Sequence, residues 1–212
     1  MKTKLVSLTK PFIEGINDPE ELITYCARVS NPSNQLNTET APKLLSYLIK
    51  HKHWSPFEMV SMCIEIQTSR AIAAQLLRHR SFSFQEFSQR YSTATELEPV
   101  EFRKQGKTNR QVGDEEVQLD TFQADLVAQA EKSCLVAYDF LIDSGIAKEC
   151  ARMVLPLSTQ TTMYMSGTIR SWIHYIELRA TQDTQKEHRI IAIEIKEILK
   201  KHFPNVCETL NW

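Results

Sequence analysis

The densest chemistry in the chain lies between Gln75 and Tyr91. This stretch, QLLRHRSFSFQEFSQRY, holds three arginines, a histidine, a glutamate, three serines and three phenylalanines. Gln75, Arg78 and His79 fall at i, i+3 and i+4, so on a helix they share one face while Leu76 and Leu77 point elsewhere. An extended chain beyond them places Glu86, Ser88 and Arg90 on one side, with Gln85, Phe87 and Gln89 opposite. Guanidinium forks among hydroxyl and amide donors surround a small anion, which is the chemistry needed to hold the phosphate of a nucleotide monophosphate. A carboxylate does not belong on phosphate, so Glu86 is expected to orient an arginine or to accept from a sugar hydroxyl or a base. The same composition also describes a solvated charged turn flanked by core phenylalanines.

The rest of the composition narrows the classes. Only five glycines occur, with no GxGxxG and no Walker loop, so a Rossmann or P-loop cradle is not expected. Twenty-six acidic against 25 basic side chains leave a formal charge of -1, against the basic excess of a nucleic-acid binder. Cys26, Cys63, Cys134, Cys150 and Cys207 are odd in number, scattered and never paired as CxxC. They indicate small buried side chains in a reducing compartment rather than a disulfide framework or a metal site. The first residues, MKTKLVSLTKPF, lack the apolar core of a signal peptide, and no stretch approaches the roughly 20 apolar residues of a membrane span. A cytoplasmic protein without membrane contact is expected.

The elements that must position these residues are readable from periodicity, as one domain over residues 1–212. Lys4 to Leu8 forms a strand, and Asp18 caps a helix running to about Val29. Asn31 to Asn37 is a loop. Leu44, Leu45, Leu48 and Ile49 give one apolar face to a helix from Thr40 to about Lys52. Met59 to Thr68 partly alternates, as a strand with one wet face. Ser69 then caps a helix from Arg70 to about His79. Glu96 to Asp120 is polar and of mixed charge, an exposed excursion. A long helix follows from Thr121 to about Asp143, ended by Ser144-Gly145. A short helix at Glu149 to Val154, an extended stretch from Leu157 to Met165, and helices near Thr168–Ala180 and Lys186–His202 complete a mixed α/β architecture.

Several blocks share one resemblance. Arg78-His79-Arg80, seven residues, then Ser88 is similar to the RHR(x7)S signature of the flavin-dependent thymidylate synthases, and Glu86, Arg90 and Tyr91 extend it. Glu149 to Pro156, ECARMVLP, resembles that family's E-x-A-R-x-V-L-P segment. Arg170-Ser171 and Leu178-Arg179 are similar to its R-S-L and L-R elements, and His53 to Glu58, HWSPFE, to its H-x-(S/T)-P-F-E stretch. The blocks run in order over roughly residues 50–190.

The resemblance implies a small, mostly antiparallel sheet surrounded by helices. It further implies an enzyme that methylates dUMP to dTMP with methylenetetrahydrofolate as carbon donor, NADPH as reductant and FAD as hydride carrier, in a homotetramer with shared sites. It places Gln75, Arg78, Glu86, Ser88, Arg90, Arg152 and Arg179 on dUMP, and His53, Ser55, Arg78, His79, Arg80, Glu86, Arg170 and His174 on FAD. Arg179, a permanent cation, is expected to stabilise negative charge developing on the uracil ring. Ser88 has no evident base beside it and is assigned to binding. His51, His188 and His202 have no comparable context.

Gln85 stands where asparagine is usual in that family. Gly167-Thr168-Ile169 replaces a segment that commonly contains asparagine, and Asp183 and Thr184 occupy places often held by histidine and alanine. These departures bear on the flavin contacts and leave the arginines intact. A noncatalytic nucleic-acid module, with Arg78, Arg80 and Arg90 on phosphates and Phe82, Phe84 or Phe87 stacked on bases, is the competing expectation. It leaves Arg152, Arg170 and Arg179 without a role.

Overall fold

The computed structural model describes residues 1–93 and 95–212. In chain order the elements are β1 (Lys2–Leu8), α1 (Pro19–Ala27), α2 (Ala41–Lys50), β2 (Ser61–Ser69), α3 (Arg70–Leu76), β3 (Ser83–Glu86), β4 (Arg103–Gln105), β5 (Gly113–Glu116), α4 (Thr121–Asp143), α5 (Lys148–Ala151), β6 (Gln160–Thr168), α6 (Ile169–Arg179), α7 (Lys186–His202) and α8 (Pro204–Thr209). Four strands form an antiparallel sheet in the order β1-β2-β6-β3, and β4 and β5 form a separate hairpin. None of the helices described is long and apolar enough to cross a membrane.

Alternation fixes the central pair. Met62, Ile64 and Ile66 of β2 are buried, as are Met163 and Met165 of β6, and Ile64 faces Met165 while Ile66 faces Met163 across the register. Their common face receives α6 and α7. In α6 the buried positions Ile169, Trp172, Ile173, Tyr175 and Ile176 follow the helical period. The fully buried Trp172 satisfies its indole N–H on the Met62 carbonyl at 3.1 Å. In α7, Ile191, Ala192, Ile195 and Leu199 continue the core, and His188 occupies the first position of the same stripe.

Both central strands pass into helices without a loop. Ser69 ends β2 and Arg70 begins α3; Thr168 ends β6 and Ile169 begins α6, with the Thr168 hydroxyl accepting from the Ser171 N–H at 3.3 Å. The two arginines at these junctions, Arg70 and Arg170, are thereby fixed by sheet register.

The long helix α4 differs from the rest. Asp120 and Gln123 close a capping box at its start. Of its 23 residues only Tyr138 is buried, and Phe122, Leu126, Val136 and Phe140 stand exposed.

Several expectations are corrected. The helix at 70 stops at Leu76, short of His79, because its last turn tightens: Arg78 and His79 donate to Gln75 and Leu76, three residues back. Ser88 and Arg90 are not in extended chain. Pairing with β6 ends at Glu86, and the Ser88 carbonyl accepts from the Tyr91 and Ser92 N–H groups, closing a turn that lets Gln89 be buried. The excursion at 96–120 contains the β4–β5 hairpin. Its strands are short and largely solvated, and charges rather than apolar alternation anchor it: Arg103 pairs with Glu187 at 2.6 Å and Lys186 with Glu101 at 2.6 Å. The stretch read as extended at 157–165 pairs instead from Gln160 to Thr168, and α8 was not anticipated. That short helix is held by the buried Glu20 carboxylate, which accepts from the Val206 N–H at 2.8 Å and the Asn205 amide at 2.6 Å.

Candidate functional site

The turn after α3 aims His79 inward. Its ring lies edge-on to Tyr175, 4.9 Å between centroids, and 6.0 Å from the ring of His188. Arg179, at the C-terminal end of α6, donates its Nε–H to His79 Nε2 at 3.0 Å. A nitrogen that accepts carries no proton, so His79 is neutral and protonated on Nδ1. Burial and then the Arg179 and His174 charges hold its pKa down to about 4. His188, fully buried, is pushed to about 3 by burial, with Arg179 and His79 adding to it. His188 joins Gln75 through a 3.2 Å contact between Nδ1 and Oε1.

Both folded pKa values lie below the ordinary 6.5, so between those limits the unfolded chain binds more protons than the folded one. This contribution to stability is complete above about pH 6.5 and is lost progressively as the pH falls toward about 4 for His79 and about 3 for His188. The unfolding midpoint is expected to fall over that window in a titration by calorimetry. The slope should be shallower in His79→Gln, whose amide oxygen can take the place of Nε2. A slope unchanged in that variant would remove His79 as a source.

Along α6, exposure at Arg170, His174 and Glu177 follows i, i+4 and i+7. These three, with Trp54, Glu58, Ser81, Ser171 and Ile173, line a cleft of about 400 Å³. Arg170 donates to Glu58 Oε1 at 2.6 Å, bridging α6 to the 3-10 segment Ser55–Met59. An adjoining cleft of about 460 Å³ carries Lys52, His53, Ser55 and the other flank of Trp54 and Arg170. The two clefts share Trp54 and Arg170 and so adjoin, with the Trp54 ring and the cations Arg170 and Lys52 in their lining. That pairing of ring wall and positive charge fits a flavin dinucleotide, whose isoalloxazine and diphosphate have those needs.

Glu86 meets an arginine, as expected, but one outside the expected set. Arg70 pairs with Glu86 Oε1 at 3.2 Å, and the Thr161 hydroxyl donates to the same oxygen at 2.9 Å. Arg70 also donates to the Phe87 carbonyl at 3.2 Å, fixing the chain where it leaves the sheet toward Ser88. The Lys148 ammonium donates to the Tyr91 carbonyl at 2.9 Å, tying that turn to α5, one helical turn ahead of Arg152. Ser88 and Arg90 are thus tethered to the segment carrying Arg152. Among the described residues Arg78, Arg80, Arg90 and Arg152 form no ion pair, and the Ser88 hydroxyl has no hydrogen-bond partner.

The structure therefore collects the half-buried Gln75, His79 and Arg179 around the buried His188 and Tyr175, and Arg170 and His174 with His53 and Ser55 along the cleft. Arg78, Arg80, Ser88 and Arg90 are exposed around it. Of the three phenylalanines offered for stacking nucleic-acid bases, Phe82 is in the core against Trp172 at 4.6 Å and Phe84 packs on that core, while Phe87 is half-buried. Arg70, Gln185, Glu187 and His188 were missed. For His188 a signal existed: it lies three residues before Ile191 on the buried stripe of α7, where a histidine needs a reason.

A small antiparallel sheet flanked by helices, with exposed arginines around a neutral histidine and a cleft lined by Trp54 and Arg170, suits an enzyme that handles nucleotides. Residues 11–205 match the family described as "Thymidylate synthase complementing protein". The chain is 53% identical over 219 aligned positions to the probable flavin-dependent thymidylate synthase of Paramecium bursaria Chlorella virus 1, and 52% identical over 218 to the flavin-dependent thymidylate synthase of a Synechocystis species; each match covers 100% of both chains. The Thermus thermophilus flavin-dependent thymidylate synthase is 36% identical over 201 positions, covering 93% of this chain and 74% of that one. Among solved structures, the UMP/dUMP methylase PolB from Streptomyces cacaoi, bound with 5-Br dUMP, superposes with a TM-score of 0.83 at 26% identity, covering 99% of this chain and 94% of that one. The chain belongs to the flavin-dependent thymidylate synthase family.

Proposed function

We propose that this protein methylates dUMP to dTMP, with methylenetetrahydrofolate as carbon donor, NADPH as reductant and FAD in the cleft along α6. The observation that carries the reading is Arg179 held by neutral His79. With Nε engaged at 3.0 Å, the two terminal amino groups of the guanidinium stay available as paired donors to a pyrimidine carbonyl. Arg179 then stabilises negative charge on the ring, and His79 serves as its anchor rather than as a direct flavin contact.

In this reading Arg78, Arg90 and Arg152, which lack ion partners among the described residues, neutralise the phosphate, and Ser88 donates a hydrogen bond. Glu86, fixed by Arg70, accepts from the nucleotide, and Gln75 contacts it from below. His53, Ser55, Arg80, Arg170 and His174 hold the cofactor, and Trp54 and Ile173 exclude water from its ring. Bound there, reduced flavin supplies the hydride that completes the methyl group. No enzyme nucleophile takes part, consistent with a Ser88 hydroxyl that has no base beside it.

The chain acts as one domain, in the cytoplasm, without nucleic acid. Self-association into a homotetramer is supported by the exposed Phe122, Leu126, Val136 and Phe140 of α4, too much apolar surface for a helix facing only water.

The test is an anaerobic assay of FAD-loaded protein with dUMP, methylenetetrahydrofolate and NADPH, following dTMP by chromatography. Formation of dTMP and a flavin spectrum lost in Arg170→Ala are expected. Bound flavin with no dTMP would exclude this substrate and carbon-donor pair.

A further inference from the structure

Behind Gln75 runs a chain of hydrogen bonds whose direction is set at one end. The Glu187 carboxylate can only accept. It takes Arg103 at Oε1 (2.6 Å) and the Gln185 amide N–H at Oε2 (2.9 Å). Gln185 must then turn its oxygen to Gln75, whose Nε2 donates to it at 2.7 Å. Gln75 in turn presents Oε1 to His188 Nδ1 at 3.2 Å, so that nitrogen must carry the imidazole proton. The remaining nitrogen, His188 Nε2, is buried without a partner among the described residues. This is the less costly arrangement, since a bare buried acceptor is better tolerated than a bare buried N–H. The Tyr175 and His79 rings pack around His188, 5.7 and 6.0 Å away between centroids.

We propose that Glu187, Gln185 and His188 are positioning residues that lock the Gln75 amide in one orientation, so that it offers the nucleotide an N–H and not a carbonyl. The lock rests on the reading that Gln75 contacts dUMP. Its consequence is selectivity: the second Gln75 amide hydrogen suits an acceptor oxygen and disfavours an amino group in the same place. Glu187 lies three hydrogen bonds from His188, yet dictates its tautomer, because each amide must show opposite edges to its two neighbours. A neutral imidazole suits the end of this chain, since a cation there would face Arg179.

The chain predicts its own reversal. In Glu187→Gln, Arg103 still claims an acceptor at the Oε1 position, which leaves the new amide nitrogen facing Gln185. Gln185 and then Gln75 must rotate to match. His188 Nδ1 becomes an acceptor, and its proton moves to Nε2.

Nitrogen-15 NMR of histidine-labelled protein at pH 6 reads this directly, with His79→Gln separating the two buried imidazoles. The expected result is His188 protonated on Nδ1 in the parent protein and on Nε2 in Glu187→Gln. The variant should also raise the KM for dUMP about tenfold with kcat changed less than about threefold, the scale of one buried hydrogen bond made wrongly. Nε2 protonation in the parent protein, or an unchanged tautomer in the variant, would overturn the chain. Reversal with an unchanged KM would overturn its role at the nucleotide. The parent spectrum needs no variant and no turnover, so absence of dTMP formation would strike the functional reading and leave the tautomer result standing.

Discussion

Arg179→Ala is expected to lower dUMP turnover by about 10² to 10³-fold, the usual cost of removing one preorganised donor to developing negative charge. The residue has two duties, which should be separable. Its Nε–H is spent on His79 at 3.0 Å, and its two terminal amino groups make no hydrogen bond among the described residues. Truncation removes both, so His79 loses its donor and one of the charges holding its pKa near 4. The His79 pKa should therefore rise in the variant, read by NMR titration, alongside the fall in kcat. Arg179→Lys keeps the charge but cannot donate to His79 and to a carbonyl in one plane, so it should restore only a small part of the activity. Turnover within a few-fold of the parent protein in Arg179→Ala would remove this arginine from the chemistry.

Gly167→Ala should destabilise the fold by about 1–3 kcal/mol, the range for an extra methyl forced into a packed interior. A Cβ at Gly167 would lie 2.4 Å from Phe82 Cδ1 and 2.7 Å from Cε1. Phe82 cannot readily retreat, because Trp172 is edge-on to it at 4.6 Å and Tyr175 stands behind at 6.0 Å. For a chain of this length the melting temperature should fall by about 2–4 °C per kcal/mol. Activity should fall further than stability alone accounts for, because the Phe82 N–H donates to the His79 carbonyl at 3.2 Å and carries the anchor of Arg179 with it. Phe82→Leu in the Gly167→Ala background should recover much of the melting temperature; an unchanged Tm in the single variant would show that the ring has room to move. The close approach of the Phe82 ring is thus the reason position 167 has no room for a side chain.

How much was legible depended on whether burial had imprinted a period. The long helix from Thr121 to Asp143 matched to the residue, because a capping box opens it and Gly145, at φ +80°, follows its end. The helix at Lys186–His202 was equally plain. The arginine segment was legible as a motif but not as a geometry. Its helix stops early and its strand ends at Glu86, since His79 and Gln89 turn inward for tertiary reasons that no local spacing encodes. The hairpin between Arg103 and Glu116 left no apolar period at all, being anchored through Arg103 and the adjoining Glu101 to Glu187 and Lys186 of α7. Arg70 escaped notice for a similar reason: its partner Glu86 is distant in sequence and adjacent only once β3 has paired with β6.

The junctions at Ser69–Arg70 and Thr168–Ile169 carry an evolutionary constraint. A loop can absorb an inserted residue, but where a strand runs straight into a helix an insertion turns the whole helix by about 100°. One added codon between Thr168 and Ile169 would swing Arg170, His174 and Arg179 together off their targets and expose Trp172, so no stepwise repair could rescue them singly. Length variation among relatives should therefore be tolerated at the tip of the β4–β5 hairpin, between Gly106 and Val112, and be absent at these two junctions, making them reliable anchors for aligning distant members of the family.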